Sequence, residues 1–172
     1  MNVHAKTQQR PSAAWICFFF VLLILTVYMI WSFSLEGGRA STLTSNRVLR
    51  LVENYLGRFA FVRRVLGLSD SSRYAVQQNF RKLAHFFEYM MLGMLTQSLL
   101  AAMRRVNGHT MVHGLSLGLL VAVIDETLQM VQDRGPSLTD VWLDLIGVLF
   151  GSLIVWILYG FASLFRRKAP SS

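Results

Sequence analysis

Residues 13–33 read AAWICFFFVLLILTVYMIWSF and contain no charged side chain. A helix rises about 1.5 Å per residue, so a run of this length crosses the roughly 30 Å hydrocarbon layer of a bilayer. Lys6 and Arg10 precede the run, as basic residues precede a secretory signal. The run exceeds the roughly 7 to 15 apolar residues of such signals, and we therefore predict a retained transmembrane helix.

Three further apolar runs, residues 83–103, 112–131 and 141–165, are each long enough to cross a membrane. No stretch between the runs is long enough for a separate soluble domain. The sequence therefore predicts an all-α, polytopic membrane protein with four transmembrane helices, forming a single domain over residues 1–172. The location that we expect is the cell membrane.

The composition excludes a water-soluble globule. Hydrophobic residues make up 53% of the chain and charged residues only 15%, against about 25% in soluble domains. Lys and Arg outnumber Asp and Glu by 17 to 9, but the basic residues lie between and after the apolar runs. Such residues flank membrane spans, so no nucleic acid partner is expected. The single cysteine, Cys17, excludes an intramolecular disulfide.

The segment at residues 46–66 has the pattern of an amphipathic helix. Apolar residues recur there at alternating spacings of four and three, which places them on one helical face with arginines between them. The predicted apolar face consists of Val48, Val52, Tyr55, Phe59, Val62 and Leu66. We predict an interfacial helix between the first and second spans, with its cations against anionic lipid. A helix packed on the end of the bundle is an equally good interpretation.

The ionisable residues of the spans gather at one face of the membrane. Because the chain crosses in alternate directions, the second span starts, the third ends and the fourth starts on the same side. An ionisable group within a span costs a few kcal/mol and usually faces the bundle interior. A shared polar site is therefore predicted there, whereas the opposite ends of these spans are nearly apolar. Its members are Lys82, His85, Glu88, Tyr89, Asp125, Glu126, Gln129, Arg134, Asp140 and Asp144.

These residue types can perform acid–base chemistry and bind an anionic group. His85, Glu126 and Asp140 are the candidate acids and bases. The candidate substrate-binding residues are Lys82, Glu88, Tyr89, Gln129, Arg134 and Asp144. His85, Glu126 and Asp144 match no recognised metal-ligand spacing, so the sequence assigns no metal and identifies no cofactor. Gly147 and Gly151 form a small-xxx-small pair, which we expect to bring the fourth span close to the third.

Two motifs resemble those of the VanZ-like family, and so does the WSFS end of the first span at residues 31–34, which Ser41 and Ser45 follow. The first motif is RKLAHFFEY at residues 81–89, followed by Leu92 and Gly93. The second comprises DETLQ at residues 125–129 and the spaced residues Arg134, Ser137, Asp140, Asp144, Gly147 and Gly151. Residue 144 is Asp, where the family more often has Asn. The resemblance covers nearly the whole chain and implies a small bacterial integral membrane protein of about four helices.

The resemblance also implies a setting, the bacterial cell envelope, because the founding member is linked to resistance to teicoplanin. It implies no established reaction. The leading hypothesis is a site that binds or acts on a lipid or a lipid-linked envelope precursor. Lys82 and Arg134 would then hold an anionic headgroup, and glycopeptide susceptibility would be a candidate phenotype.

Two alternatives remain open. One is a non-enzymatic interaction or assembly module, in which the polar cluster locks the helices together. The other is proton-coupled transport, for which the four spans show no inverted repeat and which would need a dimer.

The distribution of Lys and Arg predicts the orientation. The side that holds the termini has seven basic residues, whereas the other side has ten, of which only six lie within about 15 residues of a span. We therefore predict cytoplasmic termini and a polar site that faces outwards.

Overall fold

The computed structural model of the chain describes residues 13–35, 38–68, 72–103, 107–131 and 137–168. These residues form helices and, within the described ranges, no strand. The all-α fold predicted from the sequence is confirmed. The helices are α1 (Ala13–Ser34), α2 (Gly38–Leu56), α3 (Ala60–Leu66), α4 (Arg73–Met103), α5 (Gly108–Val131) and α6 (Leu138–Lys168).

Four of these helices, α1, α4, α5 and α6, are long and apolar enough to cross a membrane, which confirms the four predicted spans. Helices α4 and α6 extend beyond the apolar runs, and α4 begins at Arg73 although its run starts at residue 83. The first turns of α4 are rich in Arg, Lys and Gln, which favour a helix almost as well as apolar residues do. Apolar composition therefore marks the part that can lie in lipid, but not where each helix begins.

The segment at residues 46–66 is interrupted rather than continuous. Helix α2 ends at Leu56 and α3 begins at Ala60, with Gly57 at the break. The Gly57 amide still donates to the Glu53 carbonyl at 3.0 Å, but a Cβ at Gly57 would lie 2.3 Å from that oxygen. Glycine also weakens a helix interior by roughly 1 kcal/mol relative to alanine. The break therefore falls at the residue that least favours a helix.

Helices α2 and α3 pack against the first turns of α4. Leu49, Leu66 and Val76 form a buried cluster there, and the Asn79 side-chain amide donates to the Leu66 carbonyl at 3.5 Å. In the structure this segment therefore packs on the helical bundle, as the second interpretation of its sequence expects. Leu49 is 1% exposed, whereas its neighbour Val48, which belonged to the predicted apolar face, is 42% exposed. The interfacial location of this segment remains a prediction.

Glycines bring α4 and α6 into backbone contact. A Cβ on Gly151 would lie 2.0 Å from the Met90 carbonyl oxygen, and one on Gly93 would lie 2.2 Å from the Val148 carbonyl oxygen. A Cβ on Gly147 would lie 2.7 Å from the Phe86 carbonyl oxygen of α4. The expectation that Gly147 brings the fourth span to the third was therefore wrong, since it faces the second. The sequence pattern identified a close-contact face but not its partner.

Helix α4 is the centre of the bundle, because every other helix contacts it. Leu23 and Ile30 of α1 pack into a buried cluster with Tyr89, Leu92 and Val148. Much of the outer surface is apolar and exposed, as expected for side chains that face lipid. This packing places the polar ends of α4, α5 and α6 next to one another.

The contact between α4 and α6 predicts a matched pair of glycine variants. Gly151→Ala should lower the midpoint of thermal unfolding in detergent, because its methyl group meets backbone and overpacking costs about 1–3 kcal/mol. Gly160→Ala lies on the same helix with open space around the added Cβ, so its midpoint should stay or rise slightly. Equal midpoints for the two variants would contradict the close contact.

Candidate functional site

Three side chains from three helices form the centre of the site. His85 of α4 faces Asp125 of α5 and Asp144 of α6. The His85 Nδ1 atom lies 3.9 Å from the Asp125 Oδ2 atom and 3.9 Å from the Asp144 Oδ1 atom. The start of α4, the end of α5 and the start of α6 thus meet as their alternating directions require. We call His85, Asp125 and Asp144 the central triad.

Asp125 is fully buried, and other side chains hold both of its oxygens. The Ser34 hydroxyl at the end of α1 donates to Oδ1, and the Gln129 amide donates to Oδ2 at 3.0 Å. The sequence placed Asp125 on the polar face, but it was not chosen as a candidate acid, base or binding residue. The sequence signal that could have identified Asp125 was its spacing of four residues from Gln129, which places the two side chains on one helical face. Ser34 lies in the end of the first span that resembles the family, but its bond to Asp125 was not predicted, because it depends on how α1 packs against α5.

Asp144 and His85 contribute atoms that lack a hydrogen bond. Asp144 is 1% exposed, and its Oδ1 atom has no hydrogen-bond partner among the described residues. The buried Nδ1 atom of His85 is also unpartnered there, although the imidazole as a whole is 21% exposed. Buried polar atoms are normally paired, because leaving one unpaired costs about 1–3 kcal/mol. The Asp144 Oδ1 and His85 Nδ1 atoms therefore mark a place where a bound ligand or a transferred proton would supply the missing hydrogen bonds.

A small pocket opens beside the central triad. Its volume is about 30 Å³, which is room for an ion or one or two water molecules. Two basic residues of α4 line it together with His85 and an acid from the first turn of α6. The complete lining is Gln78, Arg81, Lys82, His85, Gln129, Asp140 and Leu143. Four of the predicted site residues, Lys82, His85, Gln129 and Asp140, therefore share one cavity.

Glu126 has a different position. It is 8% exposed and does not line the pocket. Its Oε2 atom accepts a hydrogen bond of 3.0 Å from the backbone amide of Ser137, just before α6 begins. Glu126 thus ties the end of α5 to the start of α6, a contact that its sequence position did not reveal. Its role as an acid or base remains a prediction.

The other predicted residues lie around this centre. The Glu88 Oε2 atom is 4.0 Å from the His85 Nδ1 atom, and the Glu88 side chain is 32% exposed. Tyr89 is fully buried in the apolar core. Arg134 lies outside the described residues. Glu88 and Tyr89 therefore flank His85 on its own helix.

The opposite end of the bundle also contains buried polar groups, but these are uncharged. The Gln97 amide donates to the Thr110 hydroxyl at 3.1 Å and so connects α4 to α5. Asn107 and Thr110 exchange hydrogen bonds at the start of α5, as a helix cap does. The expectation that these ends are nearly apolar therefore needs this correction, although the described acidic groups do gather at the other face.

The protein-family model described as VanZ/LLP1 matches residues 19–159. The chain belongs to the VanZ/LLP1 family. The match includes the central triad, the pocket lining and the Glu126 contact of this VanZ/LLP1 protein. Comparisons with curated proteins and with solved structures found no match.

The hydrogen bond from Ser137 to Glu126 predicts a difference between two variants. Glu126→Ala should lower the thermal unfolding midpoint, because an unsatisfied amide costs about 1–3 kcal/mol. Glu126→Gln keeps an acceptor oxygen, and its midpoint should remain near that of the wild type. Thermal unfolding of both variants in detergent tests this. Wild-type midpoints for both would mean that the contact contributes nothing to stability.

Proposed function

We propose that this VanZ/LLP1 protein binds the anionic headgroup of a lipid or a lipid-linked precursor of the bacterial cell envelope. One observation carries the proposal: Arg81 and Lys82 line a pocket that also contains His85, Gln129 and Asp140. The chain has four helices that can cross a membrane, and the pocket lies at the polar end of three of them. A ligand with a charged head and apolar tails matches such a place.

The charge of the pocket lining favours an anion at its mouth. Lys82 is exposed, so its ammonium group is available to a ligand. Arginine and lysine form strong, charge-assisted hydrogen bonds to phosphate or carboxylate oxygens. Arg134 would add a third cation. The pocket is too small for a whole headgroup, so one or two ligand atoms would enter and the rest would cover the mouth.

Apolar surface at the same level of the helices supports a lipid-like ligand. Phe87, Trp142 and Ile146 are each at least half exposed and lie close in sequence to pocket residues. Acyl or prenyl chains would lie along these side chains, where they lose no hydrophobic contact relative to the bilayer. The ligand would therefore stay in its leaflet while its head reached the pocket.

Acid–base chemistry is the second part of the proposal. His85 and Asp140 line the pocket, where they would transfer a proton or polarise a water molecule next to the bound headgroup. Glu126 is the third candidate, and its Oε2 atom accepts a hydrogen bond from the Ser137 amide at the start of α6. A change in a surface precursor would in turn alter susceptibility to glycopeptides such as teicoplanin.

A second candidate function has its own observation. The Ser34 hydroxyl joins α1 to Asp125 of α5, and Glu126 joins α5 to the start of α6. These bonds are what an assembly module would use to lock its helices. Under that function the polar residues would matter only for stability and accumulation in membranes.

Lipid binding predicts a charge-specific loss of bound anionic lipid. Protein purified from membranes in mild detergent should carry anionic lipid, detected by mass spectrometry. Lys82→Gln should reduce this lipid several-fold, because it removes a pocket cation. Arg47→Gln removes an exposed cation of α2 outside the pocket and should leave most of the lipid bound. Equal lipid content in all three proteins would contradict the proposed pocket ligand.

A catalytic role would also change the lipid composition of cells. Cells that accumulate Glu126→Gln or Asp140→Asn at wild-type levels should differ in lipid or precursor composition from cells with the wild-type protein. Unchanged composition at equal protein levels would exclude catalysis and favour the assembly function.

Orientation is tested by cysteine labelling. In a Cys17→Ala background, Lys82→Cys should react with a membrane-impermeant maleimide in intact spheroplasts, because we propose that the pocket faces outwards. His109→Cys, at the opposite end of the bundle, should react only after permeabilisation. The reverse result would place the pocket inside and exclude external antibiotics and surface precursors as direct ligands.

A further inference from the structure

The central triad has the separations of a metal-binding site. One donor atom from each of His85, Asp125 and Asp144 lies within 4.8 Å of the other two, and both histidine–carboxylate distances are 3.9 Å. Atoms that bind one Zn²⁺ ion at about 2.0–2.2 Å are roughly 3–4 Å apart. A small inward movement of these side chains would therefore bring all three atoms to a shared ion.

Burial supplies an independent reason for a cation at this place. Asp125 and Asp144 are 0% and 1% exposed, and their carboxylates approach the same imidazole nitrogen. Two carboxylates in a low-dielectric interior are stable only when they are paired, protonated or bound to a metal. The unpartnered Oδ1 atom of Asp144 points to the His85 Nδ1 atom, which also lacks a hydrogen bond within the described part of the chain.

We propose that His85, Asp125 and Asp144 bind a divalent transition-metal ion of the Zn²⁺ class. Imidazole nitrogen and carboxylate oxygen are both donors to Zn²⁺, and three protein ligands are the number in an open zinc site, where water or substrate takes the fourth position. Calcium needs six to eight oxygen ligands, so a three-residue set that includes an imidazole does not fit it. The proposal departs from the sequence expectation of no metal, because Asp125 replaces Glu126 in the ligand set.

The surroundings of Asp125 resemble the outer shell of a metal site. Carboxylates that bind metals are themselves usually held by hydrogen bonds, which orient them and tune the ion. Ser34 and Gln129 hold both oxygens of Asp125 in this way. The triad therefore has two ligand atoms free and a third that is already oriented.

The ion would lie at the inner end of the pocket, because His85 belongs to both the triad and the pocket lining. With His85 as a ligand, proton transfer would fall to Asp140 or Glu126. Metal binding itself does not depend on lipid binding, so the site goes beyond the proposed function and can be tested without any lipid substrate.

The experiment measures Zn²⁺ binding to the full chain, purified in detergent without a polyhistidine tag and stripped with a chelator. Titration calorimetry should show one Zn²⁺ per chain for the wild type. Asp125→Asn and Asp144→Asn should each weaken binding by more than the roughly 10–100-fold cost of losing an outer hydrogen bond. Ser34→Ala removes only such an outer hydrogen bond, so its Zn²⁺ affinity should fall by no more than that roughly 10–100-fold cost. His113→Ala removes an exposed imidazole at the far end and should bind normally.

Thermal unfolding distinguishes a lost ligand from a misfolded protein. Zn²⁺ should raise the unfolding midpoint of the wild type and of His113→Ala, because a ligand that binds only the folded state stabilises it. It should not raise the midpoint of Asp144→Asn, which is expected to fold because it removes a buried charge and keeps the side-chain shape. One equivalent of Zn²⁺ bound equally by wild type and Asp144→Asn, or none bound by the wild type, would overturn the proposal.

X-ray absorption of the Zn²⁺-loaded wild type should show one imidazole and oxygen ligands at about 2.0–2.1 Å. A shell with two or more imidazoles would overturn the assignment to the triad. Loss of lipid from Lys82→Gln with unchanged Zn²⁺ binding would support both proposals separately, since Lys82 is not a triad member.

Discussion

The backbone contact between α4 and α6 is the constraint on which the rest of the structure depends. Gly93 on one helix and Gly147 and Gly151 on the other leave no space for a Cβ. In a membrane, helices gain no hydrophobic energy by associating, so close packing of small residues is a main source of attraction. The same contact sets the register of the two helices and places Asp144 opposite His85.

The site follows from that register but has an energetic cost. Two fully buried acids and a partly exposed histidine gather at the polar end of the bundle, and burial removes the two acids from water. A polar lock could be built from uncharged groups, as the pair Gln97 and Thr110 shows at the other end of the bundle. Charged groups in such a place usually indicate function. This contrast between the two ends favours a binding or catalytic site over a purely structural cluster.

Much of the candidate site could be predicted from the sequence, because alternating spans must bring their polar ends together. Lys82, His85, Gln129 and Asp140 do line one pocket. The distinction between Asp125 and Glu126 could not be predicted. The two acids are neighbours in the chain, but successive residues lie about 100° apart around a helix. Which one faced His85 depended on the rotation of α5 within the bundle.

The sequence likewise could not show which helix the small residues contact. Gly147 belongs to a recognisable small-xxx-small pair, but the pair does not specify which helix approaches it. The amphipathic segment likewise had a readable apolar face, whereas its break at Gly57 and the burial of Leu49 rather than Val48 depended on contact with α4.

The sequence by itself determined that this protein is a four-span helical membrane protein in which the described acidic residues of the spans lie at one end of the bundle. Uninterrupted apolar length and alternating direction are properties of the chain alone. Only the tertiary structure decided that Asp125 joins His85 and Asp144 while Glu126 holds the start of α6. The reason is that helix rotation and helix partners depend on packing between residues far apart in sequence.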